Sequence, residues 1–336
     1  MSSAPTTAEI ARDATWLAQA LDPATGMARL IAMNRDGYRA ASFLDDRLLQ
    51  QRVNAQIVPW AAIETAMTSP SRTDARWIFH IGHVGSTLVS RLLGELDGVL
   101  AIREPRLLRD LALSPPNLRS SYAGLVPALM SRTFAPGQIA CIKATSFVSE
   151  IAPELVPSGE RALFMFANPA NYIASILAGE NSVTELHHLA PSRAERLARR
   201  VSNLVPANTD ADLAATAWAC EMTTLEAAAD AMPDRSVNWA DFDAMLTEMP
   251  AALARVATFF GFAATAGELE GVATGPLIGR YSKATEYDYS AGLRRDLNAE
   301  ATAANRPAID DALAMLQRAA DKSPILARAL ARSKEV

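Results

Sequence analysis

The stretch FHIGHVGSTLVSRLL, Phe79 to Leu93, constrains the fold more than any other part of this chain. An apolar run beginning at Trp77 meets Gly82 and Gly85, and two hydroxyls, Ser86 and Thr87, follow at once. Leu88, Leu92 and Leu96 then recur every fourth residue up to an Asp97-Gly98 stop, which is the spacing of one helical face. The order predicted is strand, tight loop, helix N-terminus. Glycine at both loop positions opens backbone conformations that other residues avoid, so successive amides can point at one anion. The start of the helix adds unpaired N–H groups and the positive end of its dipole.

Two well-known phosphate loops do not fit. With Gly85 as the second glycine of the nucleoside-triphosphate loop, the first would fall on His80 and the lysine on Ser86. A dinucleotide fingerprint starting at Gly82 would need glycines where Val84 and Thr87 stand. Taken alone, the segment is also compatible with a turn that uses glycine only for packing.

The rest of the chain narrows the choice. Residues 1 to 72 are predicted to form a helical N-terminal extension, with Ile10, Trp16, Leu17 and Leu21 spaced for one helical face, and TSPSRTDAR marks its end. From residue 73 to 336 short apolar runs alternate with helical patterns: WIFHI, VLAI, QIACI, ALFMF and SVNW between segments such as STLVSRLLGEL and NYIASIL. Alternation of this kind predicts an α/β domain in three layers, a parallel sheet flanked by helices, whose buried strands are apolar on both faces. Residues 190 to 231 and 309 to 331 read as further helices. In such sheets ligands bind past the carboxyl ends of the strands. Arg103 and Glu104, Lys143 and Ser146, and Asn168-Pro169 followed by Ser175 all sit there, and Arg280, Ser282 and Lys283 cluster late in the chain.

On these segments the chain resembles the sulfotransferases that use 3'-phosphoadenosine 5'-phosphosulfate (PAPS), enzymes of P-loop-like fold. GHVGSTLVSRLL is similar to the family's 5'-phosphosulfate loop, REP to a segment that supplies an acidic base, and FMFANPANYIAS to the 3'-phosphate segment. The likeness runs from about Arg76 to Arg295. His83 stands where the loop usually has Lys or Arg, and Ala167 where the second segment has Arg, whereas Asn168, Pro169, Asn171 and Ser175 match.

The resemblance implies sulfuryl transfer from PAPS, without a metal, to a hydroxyl or amine of a small-molecule, lipid or sugar acceptor. Gly82, His83, Val84, Gly85, Ser86 and Thr87 would hold the 5'-phosphate, with a protonated His83 as the cation. Glu104 would be the general base and Lys143 a second cation on the sulfuryl group. Asn168 and Ser175 would meet the 3'-phosphate, and Arg280 and Lys283 would replace the arginine lost at Ala167.

Composition excludes several other classes. A net charge of −5, with Lys and Arg dispersed among carboxylates, does not favour nucleic acid as a partner. The two cysteines, Cys141 and Cys220, lack the spacing of a disulfide framework or zinc site, and His187-His188 has no companion ligands. MSSAPTTAEIARDATW has no basic start leading into an apolar stretch, and no run approaches the roughly 18 apolar residues of a membrane span. A cytoplasmic protein is expected. RAERLARR, residues 193 to 200, reads as a solvated helix face. Two alternatives remain at this level: a non-catalytic, sulfotransferase-like binding or scaffold protein, and, opposed by the missing lysine, a P-loop metabolite kinase.

Overall fold

The computed structural model describes residues 4–50, 52–68, 72–202, 205–279 and 290–334. Among the described residues eight strands form two sheets: β1 (Trp16–Asp22), β2 (Met27–Ala32) and β3 (Ala55–Pro59) in one, and β4 (Arg76–His80), β5 (Val99–Arg103), β6 (Ile139–Lys143), β7 (Arg161–Phe166) and β8 (Ser236–Asp241) in the other.

The five apolar runs of the α/β region are the five strands of the second sheet. Its order is β5-β6-β4-β7-β8, and every pairing is parallel. All of β5 is buried, and so are all but the first residues of β4, β6 and β7, as expected for strands covered by helices on both faces. β8, at the edge, is only half-buried. The chain therefore forms the α/β fold that its sequence predicts, a parallel sheet flanked by helices. After β4 it builds the β6 and β5 side, and from β6 to β7 it crosses to the other side of β4. That places the end of β4 at the centre of the sheet's carboxyl edge, with strand ends on either side to contribute further groups.

The N-terminal region departs from the helical extension expected. Trp16–Asp22 is a strand buried at six of its seven positions, and it pairs antiparallel with β2, which pairs antiparallel with β3. A nearly unbroken apolar run suits a strand covered on both faces as well as a helix. The deciding signal is the turn after it, from Pro23 to Gly26, where Gly26 takes φ +65°. The N-terminal region is stitched to the main domain by two buried arginines that donate to its backbone carbonyls. Arg132 donates to Trp16 (2.8 Å) and Ile10, and Arg103 donates to Ala41 (2.9 Å from Nε), Arg39 (3.1 Å) and Tyr38.

The helical pattern expected over residues 309 to 331 is divided. One helix, Ala291–Ala320, is kinked at Asn305, two residues before Pro307, and a second runs from Pro324 to Arg332. RAERLARR is not a solvated face: Arg193, Arg196 and Arg200 turn inward to Glu221 and Glu150, and of its charged residues only Glu195 and Arg199 are exposed. Among the described residues no helix is long and apolar enough to cross a membrane.

Candidate active site

β4 ends at His80, and the next turn is built from unusual backbone. Gly82, His83 and Gly85 have φ of +84°, +54° and +58°, and the helix Ser86–Glu95 starts directly after them. His80 Nδ1 accepts from the Gly82 amide at 2.9 Å and closes the loop on the strand side. A Cβ on Gly85 would lie 1.9 Å from the Phe242 ring, so only glycine fits there, whereas a Cβ on Gly82 would meet open space. Ser86 and Thr87 are buried residues that line the loop, and their hydroxyls make no hydrogen bond among the described residues. Their amides, in the first turn of the helix, likewise find no backbone acceptor there. Two orphan hydroxyls and two orphan amides converging on a glycine loop make a cradle for an anion.

The cradle opens into a cavity of about 440 Å³ along the carboxyl edge of the sheet. Gly82 to Thr87, Glu104, Lys143 and Ser175, the groups expected from sequence, all line it. Among the described residues the only non-glycine residues with positive φ are His83 and Glu104, and both face this cavity. Two strained residues in one cleft mark a place where geometry is held for function.

At the β5 and β6 side Lys143, 1% exposed, is paired through Nζ with Glu104 Oε1. Arg47 Nη2 stands 3.6 Å from Glu104 Oε2, and the Thr145 hydroxyl 3.5 Å from the same oxygen. The Glu104 amide donates to the Lys143 carbonyl at 2.8 Å, so backbone and side chain both tie the two strand ends together. Arg103 and Arg106, the arginines nearest to Glu104 in sequence, do not pair with it. Strand alternation instead turns Arg103 to the opposite face, and Arg106 binds Asp46 and Asp110.

At the β7 and β8 side the picture changes. Asn168 does not line the cavity. Its side chain caps the helix Pro169–Leu177, accepting from the Asn171 amide at 2.9 Å. Ser175 does line it and donates to the Tyr172 carbonyl at 2.9 Å. Arg280 and Lys283 lie outside the described residues. Two arginines that sequence reasoning missed point into the cavity instead. Arg294 binds Asp243 through Nε (2.9 Å) and lies over the Phe242 ring, while its buried Nη2 has no acceptor among the described residues. Asp243 is itself fixed by the Asn171 amide nitrogen at 2.9 Å. Arg193, 4% exposed, meets Glu221 at 3.4 Å. Burial works against its charge, but Tyr172, Glu221 and Glu185 hold it protonated beyond the ordinary arginine range.

His83 is mostly enclosed, with Nε2 3.8 Å from Glu185 and its ring edge-on to Tyr172. Phe43 and Arg47, also missed, come from the N-terminal region, where no motif announced them.

No family model matches the chain, and no curated protein matches it. Among solved structures it is similar to a sulfotransferase domain from the curacin biosynthetic pathway, with a TM-score of 0.41 and 11% identity over 67% of this chain and 87% of that domain. At that distance the chemistry has to be read from the side chains of the cavity itself.

Proposed function

We propose that the chain is a PAPS-dependent sulfotransferase acting on a hydroxyl or amine of a small-molecule, lipid or sugar acceptor. The observation that carries this reading is the convergence in one cavity of an anion cradle without a lysine, an acid–ammonium pair at neighbouring strand ends, and a buried guanidinium nitrogen with no acceptor among the described residues. PAPS suits such a set because it presents two phosphate positions and needs no metal.

PAPS, when bound, supplies the sulfuryl group and a stable bisphosphate leaving group. The Gly82 to Thr87 loop holds the 5'-phosphate with its amides and the Ser86 and Thr87 hydroxyls, and His83, steadied by Glu185, takes the place of the usual cation. Glu104 accepts the proton of the attacking hydroxyl or amine as its oxygen or nitrogen bonds to sulfur. The electron pair of the breaking S–O bond stays on the phosphate oxygen, where Lys143 and the loop amides stabilise the charge. For this, Lys143 shifts from Glu104 toward the transferred group, which frees the Glu104 oxygen that receives the proton. Arg294, assisted by Ser175 and Arg193 in the same cavity, binds the 3'-phosphate in place of the arginine absent at Ala167.

Binding of 3',5'-bisphosphoadenosine in preference to Mg-ATP tests the assignment against the kinase and scaffold alternatives.

A further inference from the structure

The N-terminal region has no part in the sulfotransferase resemblance, yet it supplies one wall of the cavity. A short turn, Asp46–Gln50, sets Arg47 at the mouth beside Glu104. The Arg47 guanidinium lies 3.4 Å from the centroid of the Phe43 ring, which fixes its plane. Asp45 binds its Nε at 2.8 Å and its Nη2 at 2.7 Å, which fixes its rotation. Its Nη1 has no acceptor among the described residues, and the side chain is 50% exposed. The remaining groups at this end leave a small positive excess. Arg29, Arg47, Arg106, Arg109 and Lys143 face Asp45, Asp46, Glu104 and Asp110, five cations to four carboxylates.

From this geometry we infer that Arg47 anchors the acceptor, and that the acceptor carries an anionic group, a carboxylate or a phosphate or sulfate ester, close to the hydroxyl or amine that is modified. The inference rests on the sulfotransferase reading for the direction of the site. The nucleotide occupies the loop and the β7 and β8 side, which leaves the Phe43–Arg47 wall to the acceptor. With a charge-assisted hydrogen bond of about 2.8 Å on the outer edge of the guanidinium, the anion sits roughly 6 Å from the Glu104 carboxylate, a gap that a spacer of about one aromatic ring between the anion and the reacting atom spans. A cationic acceptor would be repelled at the same point, and a neutral one would leave Arg47 facing water.

Calorimetric titration of the full chain with 4-hydroxyphenylacetate, 4-hydroxyphenylacetamide and tyramine, with and without saturating 3',5'-bisphosphoadenosine, tests this. The carboxylate is expected to bind about tenfold more tightly than the amide, as fits a partly exposed, charge-assisted contact. Arg47→Gln is expected to abolish that preference and Arg47→Glu to transfer it to tyramine, both within about twofold of the wild-type affinity for the bisphosphate. Equal affinity for acid and amide in the wild type, or a preference that survives Arg47→Gln, overturns the assignment of Arg47 and leaves the nucleotide site standing. A carboxylate preference in a protein that does not bind the bisphosphate keeps the anion anchor and removes the sulfotransferase reading.

Discussion

The Phe242 ring lies where a Cβ of Gly85 would be, 1.9 Å from that position, so the residue closing the anion loop and the residue opening the helix after β8 are fitted to each other. Gly85 also has φ +58°, a conformation costly to other side chains. Gly85→Ala is therefore expected to cost about 2–4 kcal/mol through backbone strain and overlap together. Urea denaturation measures the loss. Phe242→Leu in the same chain should recover part of the overlap and none of the strain, so a double mutant as unstable as the single would show that the ring does not set the constraint.

Glu104→Gln removes the proton acceptor while keeping the side chain's shape. Binding of 3',5'-bisphosphoadenosine should stay within about threefold, and sulfuryl transfer should fall by roughly 10²–10⁴. Lys143→Met is expected to be the more damaging for folding, by about 2–4 kcal/mol, because it strands a carboxylate that is buried beneath Arg47. Equal turnover by Glu104→Gln and wild type would remove Glu104 from the chemistry.

Arg294→Ala should weaken 3',5'-bisphosphoadenosine by about 10- to 100-fold, the worth of a buried charge-assisted contact, and change 5'-AMP affinity little. Titration of both nucleotides separates a 3'-phosphate contact from a general loss of structure, in which both affinities would fall together.

Stability should decline on acidification through Glu150. Burial alone raises its carboxyl, but the Arg200 and Arg196 guanidiniums outweigh burial and hold it below the ordinary glutamate value of 4.5. The folded protein thus keeps Glu150 ionised at pH values where the unfolded chain already takes up the proton. The contribution is complete above about pH 4.5 and is lost as pH falls through the lower folded value. Glu150→Gln should lower neutral stability by about 2–4 kcal/mol and flatten the acid limb of a stability–pH profile.

How much of this was legible in sequence depended on whether the signal was local. β4 to β7 could be read because doubly covered strands leave continuous apolar runs, and the anion loop because its glycines, hydroxyls and helix lie within a few residues of one another. Trp16–Asp22 misled because an apolar run carries no period to separate strand from helix. Arg193 was taken for a surface residue because its partner Glu221 lies 28 positions away. Arg294 and Arg47 were invisible for the same reason: Asp243 and Glu104, which reveal them, meet them only in the folded chain. Asn168 matched a motif but spends its side chain on a helix cap, a competition that spacing cannot resolve.

The most direct measurement is calorimetric titration of the wild type and of Ser86→Ala with 3',5'-bisphosphoadenosine, 5'-ADP and Mg-ATP. Tight binding of the bisphosphate over the other two, weakened about tenfold by loss of the Ser86 hydroxyl, is the result predicted. Preference for Mg-ATP, or binding of none of the three, would contradict the account.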